Sequence, residues 1–344
     1  MAHLTRVVVF SAIVASAWIL LALVLPPAPP CLCPVREERA VIAATEPPKE
    51  RPWDGLAPIY PPPPWDVDCD AFWVAIPPAM VGPSFVPFRM CIRPEPDVMG
   101  NSIRTDGRWK DCDELLPVWR GANASGLFVD IGANIGTCTL LMLAEGARVV
   151  AFEPLPANLH YLTRSLFLQP ESQWRARLSL YPLGVGRSAS EHTAFSQSDN
   201  AGNTVLDVPV HAAQNHDRPV TVRVARLDDV LWPDAREPPP LVSLAKIDIQ
   251  GYEMEALGGA RRLLEARAIR AIHTEVSVEH LRAQNTSGRA YCAFLRDAGF
   301  SLERVGTAPG PVDEETCARW DLLPNQFSAD IVARLNQGPP GPWI

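Results

Sequence analysis

The residues best suited to chemistry belong to a glycine-bracketed turn and to the two apolar segments on either side of it. Asp130 closes the first apolar segment, Gly132 and Gly136 bracket the turn with Asn134 between them, and Glu153 follows the second segment. Glycine lets the backbone adopt unusual torsion angles and approach a ligand closely. Glu153 stands 21 residues after Gly132, about where a doubly wound fold places a carboxylate on ribose hydroxyls. The pattern predicts a nucleoside-binding βαβ unit.

The spacing of the glycines favours a ligand without a phosphate. A dinucleotide site has three glycines, G-x-G-x-x-G, and the middle one lets a pyrophosphate sit on the helix N-terminus. Here the spacing is G-x-x-x-G, with Asn134 in the middle position. Asp130 would repel a pyrophosphate and attract an ammonium group. S-adenosylmethionine has an ammonium group, a sulfonium and a ribose diol and no phosphate, so it is the predicted cofactor.

Four stretches of sequence carry a family resemblance. They are Val-Asp-Ile-Gly-Ala-Asn-Ile-Gly from Val129, Ala-Phe-Glu-Pro-Leu-Pro-Ala-Asn from Ala151, Arg-Leu-Asp-Asp-Val-Leu from Arg226, and Leu-Ala-Lys-Ile-Asp-Ile-Gln-Gly-Tyr-Glu from Leu244. Together they resemble the FkbM-type family of S-adenosylmethionine-dependent methyltransferases, over roughly residues 125 to 305. The resemblance implies a Rossmann-like class I methyltransferase fold and O-methylation of the acceptor. The family usually has Glu where Gln250 stands, so this chain lacks a carboxylate there.

The elements that must position these residues alternate between strands and helices. Short apolar segments predict seven core strands, at residues 127–131, 148–152, 177–183, 241–249, 269–275, 300–305 and 327–332. Helices are predicted at 137–144 and at 252–265, the second bent near Gly258 and Gly259. The alternation predicts an α/β fold with a doubly wound, mostly parallel seven-stranded sheet. Residues 184–202 are polar and turn-rich, and 204–210 with 220–224 predict a hairpin above the site.

Ligands of such sheets bind outside the carboxyl ends of the strands. Four acids are predicted at that edge, because each stands at the end of a separate strand: Asp130, Glu153, Asp248 and Glu275. The predicted cofactor contacts are Asp130, Gly132, Asn134, Gly136, Glu153 and Asp248.

A hydroxyl acceptor needs a group that takes its proton, and the catalytic candidates are Asp248 and His273. The alternatives are a helix-capping role for Asp248 and a structural role for His273. Glu253 and Glu275 are predicted to bind the substrate. Glu253 could instead make the reciprocal contact of a capping box, and Glu275 could be an ion-paired strand end. A divalent cation held by Asp248, Glu253 and Glu275 is not expected, because Gln250 removes one carboxylate from their neighbourhood.

Composition limits the partners. The chain has 344 residues, a net charge of −8 and no basic patch, so nucleic acid is not expected as a substrate. The expected acceptor is a small molecule or a glycan. The oligomeric state is left open.

The N-terminal region predicts a membrane anchor. Residues 7–25 are 19 residues without a charge, enough to cross a bilayer as a helix, and the preceding Arg6 favours a cytosolic N-terminus. A cleaved signal peptide and another targeting role are the alternatives. The anchor implies a single-pass type II protein with its catalytic domain in the secretory-pathway lumen or outside the cell. The predicted divisions are the tip and anchor (1–25), a proline-rich stalk (26–64), an irregular arm (65–124), the methyltransferase domain (125–335) and a tail (336–344).

Cysteines and glycosylation triplets are consistent with that compartment. There are eight cysteines; some of them could pair, and the connectivity is open at this stage. Cys138, on the helix after the turn, is expected to be a small buried residue and not a nucleophile. Asn123-Ala-Ser and Asn285-Thr-Ser are glycosylation acceptors by sequence, and both are predicted on surface loops.

Two other functional classes are alternatives to a methyltransferase. One is a nucleotide-dependent oxidoreductase, which the missing middle glycine and Asp130 disfavour and which NAD binding would support. The other is a non-catalytic luminal binding module on a methyltransferase-like fold, which binding without turnover would support.

Overall fold

The computed structural model describes residues 69–122, 124–169, 172–197, 200, 202–207, 218–306, 308–325 and 327–337. Its strands are β1 (Ala71–Trp73), β2 (Arg89–Cys91), β3 (Leu127–Ile131), β4 (Arg148–Phe152), β5 (Leu178–Tyr181), β6 (Gly184–Val185), β7 (Ser190–Phe195), β8 (Val205–Leu206), β9 (Val220–Ala225), β10 (Val242–Ile247), β11 (Ala271–Ser277), β12 (Phe300–Arg304), β13 (Gly310–Val312) and β14 (Ser328–Leu335). Its helices are α1 (Val98–Asp106), α2 (Lys110–Asp113), α3 (Leu115–Gly121), α4 (Thr137–Ala144), α5 (Pro156–Phe167), α6 (Ser172–Arg177), α7 (Leu227–Leu231), α8 (Glu253–Gly258), α9 (Arg261–Glu265), α10 (Val278–Ala283), α11 (Gly288–Asp297) and α12 (Glu314–Trp320).

The main sheet has the strand order β13-β12-β14-β11-β10-β3-β4-β5. The five strands from β11 to β5 pair in parallel, whereas β14 runs antiparallel to both β11 and β12. A mixed α/β fold with a large, mostly parallel sheet is therefore confirmed. The predicted number of seven strands is one too low, because the short strand β13 pairs with β12 and extends the edge.

Helices cover both faces of this sheet, because side chains alternate along each strand. Val129 and Ile131 of β3 face an apolar cluster that includes residues of α8, α9 and α11, whereas Phe128 faces a second cluster that includes residues of α3, α4 and α5. All three side chains are at most 1% exposed. Burial of a side chain of this size stabilises the fold by roughly 1.5–3 kcal/mol, so the strand that carries the turn is held firmly from both sides.

A second sheet follows β5, and it corrects one prediction. Its order is β6-β9-β7-β8, so β7 lies between the two strands that were expected to form a hairpin. The prediction of a hairpin of 204–210 with 220–224 is wrong for the described residues, and 208–217 lie outside them. The hydrophobic pattern did not predict β7, because four of its six residues are polar.

The segment before β3 packs on the helix that follows the turn. Ile103, Leu115 and Trp119 share an apolar cluster with Leu140 and Leu141 of α4. A disulfide joins Cys112 of α2 to Cys138 of α4, and a second one joins Cys69 to Cys91. Residues 69–122 therefore share one core with the residues of the turn, and we call them the arm.

Several predictions fall on residues that the structure does not describe. The predicted anchor (7–25) and stalk (26–64) and Asn123 lie outside the described residues, as do residues 338–344 of the predicted tail. Within the described part of the chain, no helix is both long enough and apolar enough to cross a membrane.

Candidate functional site

A cavity of about 440 Å³ lies at the carboxyl ends of β3, β4, β10 and β11. This volume is in the usual range for a small-molecule site. Six of the predicted site residues line it: Gly132, Asn134, Glu153, Asp248, His273 and Glu275. Asp130, Gly136 and Glu253 are not among its lining residues.

The turn after β3 requires both of its glycines. Gly132 has φ +86°, and a Cβ atom there would lie 2.1 Å from the carbonyl oxygen of Asp248. Gly136 has φ +93°, and its Cβ atom would lie 2.7 Å from Cγ of Leu162. A side chain at either position would collide with a neighbour and strain the backbone. The glycines therefore let the turn pass closely between β10 and α5.

Glu153 holds the turn from the neighbouring strand. Its Oε2 accepts the N–H of Asn134 at 2.8 Å, and its Oε1 accepts the N–H of Leu155 at 2.9 Å and the side-chain amide of Asn158 at 3.2 Å. The side chain is buried, and burial raises the pKa of its carboxyl above the ordinary value. The carboxylate ties β4 to the turn and still lines the cavity.

Asp130 lies under the turn and has no place on the cavity wall. It is fully buried, its Oδ2 accepts the hydroxyl of Thr139 at 2.6 Å, and its Oδ1 lies 3.4 Å from Nζ of Lys246. Lys246 also donates to the carbonyl of Gly132 at 3.0 Å. Burial would lower the pKa of Lys246, but the charges of Asp130 and Asp248 outweigh it and raise that pKa. Lys246 therefore neutralises neighbouring acids, and Lys246 and Asp130 together support the turn from beneath.

Acids that belong to or directly follow three neighbouring strands, β10, β11 and β14, gather on one wall of the cavity. Gln250 donates its side-chain amide to Oδ1 of Asp248 at 2.8 Å and to Oε2 of Glu275 at 3.4 Å. Glu275 of β11 stands opposite Asp330 of β14. Burial, with the charges of Asp248 and Asp330, raises the pKa of Glu275 to about 8, and burial raises that of Asp330 to about 6. The amide of Gln250 thus separates two carboxyls where a family glutamate would add a third.

Glu253 is the first residue of α8, and its side chain binds N–H groups of the preceding loop, which differs from the reciprocal contact of a capping box. It is 2% exposed, and its Oε1 accepts the N–H groups of Ile249 and Gly251 at 3.2 and 3.1 Å. Burial raises its pKa to about 7. Its carboxylate therefore holds the loop between β10 and α8.

No group of three or more His, Cys, Asp or Glu among the described residues could hold a metal ion.

The arm supplies site residues that the sequence analysis did not single out. Trp109, Asp111 and Leu115 line the cavity beside His273. Nε2 of His273 lies 3.4 Å from Oε2 of Glu114. The available signal was the dense stretch of aromatic and acidic residues around Cys112, but it lies outside the βαβ pattern and its position in space could not be predicted.

Comparison with known proteins shows which family this chain resembles. Residues 130–302 match the family model described as the methyltransferase FkbM domain. Methyltransferase 1 of Beauveria bassiana is 30% identical over 149 residues, which cover 38% of this chain and 57% of the relative. The hexuronic acid methyltransferase AglP of Haloferax volcanii is 29% identical over 138 residues, which cover 40% of this chain and 51% of the relative. The chain spans about half the length of these two curated relatives.

A third curated relative and one solved structure are also similar to this chain. The methyltransferase sdnD of Sordaria araneosa is 28% identical over 221 residues, which cover 56% of this chain and 81% of the relative. A crystal structure of methyltransferase FkbM from Methylobacillus flagellatus is 21% identical, with a TM-score of 0.37 over 61% of this chain and 43% of that one.

Proposed function

Because the chain belongs to the FkbM methyltransferase family, we propose that it transfers a methyl group from S-adenosylmethionine to a hydroxyl oxygen. The observation that carries the choice of donor is the bond between Asn134 and Glu153. Glu153 accepts the N–H of Asn134 inside the turn, so a carboxylate stands where a dinucleotide site offers free N–H groups to a pyrophosphate. A carboxylate repels a phosphate and can accept a bond from a ribose hydroxyl.

The turn has room for such a contact. A carboxylate accepts about four hydrogen bonds, and Glu153 receives three from the protein. One acceptor position therefore remains for a ribose hydroxyl. Gly132 and Asn134 line the cavity with Glu153, so three of the six predicted cofactor contacts lie together. Asp130 contributes through Lys246, which it holds against the carbonyl of Gly132.

The proposed reaction needs positioning above all. When it is bound, S-adenosylmethionine supplies a methyl group on a cationic sulfur, open to in-line attack. We assign the acceptor to the wall formed by Asp111, Asp248, His273, Glu275 and Asp330, which we call the acceptor wall. Alignment of the two reactants supplies much of the rate enhancement. His273 and Asp248 line that wall and are the groups placed to take the proton of the hydroxyl.

The charge of the wall favours an uncharged hydroxyl acceptor, such as a sugar of a glycoconjugate. Asp248 and Asp330 line the cavity, and the pKa of about 6 for Asp330 leaves it ionised at neutral pH, so an anionic acceptor would meet like charge. The Haloferax volcanii relative is described as a hexuronic acid methyltransferase. For this chain we propose a neutral sugar in preference to a uronic acid.

The test of this function is transfer of a labelled methyl group. The full chain would be incubated with labelled S-adenosylmethionine and matched pairs of neutral sugars and uronic acids, as free sugars and as fractionated glycans. We expect label on neutral acceptors, and a tenfold or larger loss of transfer for D248N. Binding of S-adenosylmethionine without transfer to any of these acceptors would refute the proposed O-methylation of a sugar.

We further propose that the 7–25 segment anchors the protein and that its catalytic domain faces the lumen. Three disulfides join the described cysteines, Cys69–Cys91, Cys112–Cys138 and Cys292–Cys317, and disulfides persist in oxidising compartments. Asn285 of the second glycosylation triplet is exposed in a turn. Expression with microsomes should add a glycan that N285Q lacks, and the absence of any glycan at Asn285 and Asn123 would count against a luminal domain.

A further inference from the structure

His273 is an imidazole on the acceptor wall that residues outside the family domain also contact. It lies on β11 between Lys246 of β10 and Val332 of β14, and its side chain is 6% exposed. The charged groups that face it are Lys246 from β10, Asp330 from β14, and Asp111 and Glu114 from the arm. Glu114 has the direct contact, at 3.4 Å from Nε2.

The arm holds Glu114 in this place. Glu114 joins α2 to α3, between Cys112, which is bonded to Cys138, and the fully buried Leu115. On the far side is Gly306, with φ +70°, where a Cβ atom would lie 3.0 Å from Oε1 of Glu114. The chain therefore leaves space for this carboxylate behind His273. Glu114 itself does not line the cavity.

The contact selects one protonation form of the imidazole. An ionised carboxylate only accepts hydrogen bonds, so Nε2 of His273 must donate to Glu114. In the neutral ring the other nitrogen, Nδ1, then keeps a lone pair and can accept a proton. The contact is long for a hydrogen bond, and catalytic contacts are often long before the substrate binds.

Asp248 is less free to act as the base. Gln250 donates to its Oδ1 at 2.8 Å, and Nζ of Lys246 lies 3.4 Å from its Oδ2. Both oxygens are thus engaged by positive or donating groups, whereas Glu114 leaves one ring nitrogen of His273 available.

We propose that Glu114 is a positioning residue that holds His273 in the Nε2–H form, so that Nδ1 takes the proton of the acceptor hydroxyl. This proposal rests on the proposed methyl transfer and places part of the catalytic apparatus outside residues 130–302. The acceptor oxygen bonds to the methyl carbon as the methyl–sulfur bond breaks, and the bonding pair stays on sulfur. The hydroxyl proton passes to Nδ1, and the imidazolium that forms is stabilised by the charge of Glu114.

The first test needs neither cofactor nor acceptor. Imidazole ¹⁵N–¹H correlation spectra of the full chain distinguish the two neutral forms, and H273Q assigns the signal among the seven histidines. We expect the Nε2–H form in the wild type, and loss of this preference in E114Q, since an amide can donate to Nε2. E265Q, which changes an exposed glutamate that is paired with Arg261, should match the wild type. An Nδ1–H form in the wild type, or no difference between wild type and E114Q, would overturn the proposal.

The second test separates positioning from general damage. E114Q should lower kcat about 10- to 1000-fold, with the Kd for S-adenosylmethionine unchanged within about twofold, and E114D should recover part of the loss. In an H273A background the same substitution should change kcat by less than about twofold, because Glu114 acts only through His273. An equal loss in both backgrounds would contradict the proposal and leave the methyltransferase function standing. Failure of the wild type to bind S-adenosylmethionine would instead refute the proposed function, whatever the tautomer of His273.

Discussion

Removal of the Cys112–Cys138 disulfide should destabilise the protein by about 3.5 kcal/mol and also impair the site. The bond spans a sequence separation of 26 residues. A cross-link of this length lowers the entropy of the unfolded chain by about 12 cal/mol/K, which corresponds to about 3.5 kcal/mol at 25 °C. Both cysteines are buried, so C112A/C138A is the appropriate variant, because serine would bury two hydroxyl groups. Without the bond, α2 loses its covalent link to α4, and Asp111 of the acceptor wall loses that support.

The Cys292–Cys317 disulfide provides a matched control. It spans 25 residues and joins α11 to α12, so C292A/C317A should also lose about 3.5 kcal/mol. Neither of its cysteines lines the cavity. The two double variants should therefore be equally destabilised, and only C112A/C138A should show a raised KM for the acceptor, by about tenfold. Its Kd for S-adenosylmethionine should change much less.

Urea unfolding measures the stability of both variants. With a slope of about 3 kcal/mol per molar urea, each variant should unfold at a midpoint about 1 M lower than the wild type. A loss below about 1 kcal/mol in C112A/C138A would mean that the bond does not constrain the chain as described. Equal changes in acceptor KM for the two variants would refute the claim that the arm shapes the acceptor wall.

Two further predictions concern the acids of that wall. Q250E replaces the amide between Asp248 and Glu275 with a third carboxylate. It should lower the free energy of unfolding, as measured in urea, by about 1–3 kcal/mol at pH 8 and by less at pH 5. No loss at pH 8 would show that the amide does not bridge the two acids. E275Q tests the pKa of Glu275, which is raised to about 8 from an ordinary value of 4.5. Between these values the unfolded chain releases the proton of Glu275 while the folded protein keeps it. The free energy of unfolding of the wild type should therefore fall as pH rises through this window, by at most about 1.4 kcal/mol per pH unit. The same titration of E275Q should lack that part of the slope, and identical slopes would contradict the assignment.

The sequence predicted the sheet well, because its strands are short apolar segments that end in chemically distinctive residues. Gly132, Asn134 and Glu153 lie together on the cavity wall, as the βαβ pattern required. The eighth strand was missed, because β13 is three residues long and contains a proline. The strand β7 was missed, because four of its six residues are polar and most of its side chains are only partly buried.

The depth of individual side chains could not be predicted. Asp130 and Glu153 were both predicted to lie at strand ends that face the ligand. Only Glu153 lines the cavity, because Asp130 instead contacts Thr139 and Lys246 beneath the turn. Glu253 was predicted to bind the substrate or to cap, and the N–H groups of its own loop engage it. The arm was invisible as a part of the site, since the contact of Glu114 with His273 joins residues 159 positions apart. Such a long-range contact leaves no periodic signal in the sequence.

Calorimetric titration of the full chain tests whether this fold binds S-adenosylmethionine through the turn that Glu153 holds. We predict saturable binding of S-adenosylmethionine with one site per chain, no detectable binding of NAD at the same concentrations, and at least tenfold weaker binding of S-adenosylmethionine to E153Q, with E265Q unchanged. A folded protein that binds NAD, or that binds neither ligand, would contradict the account.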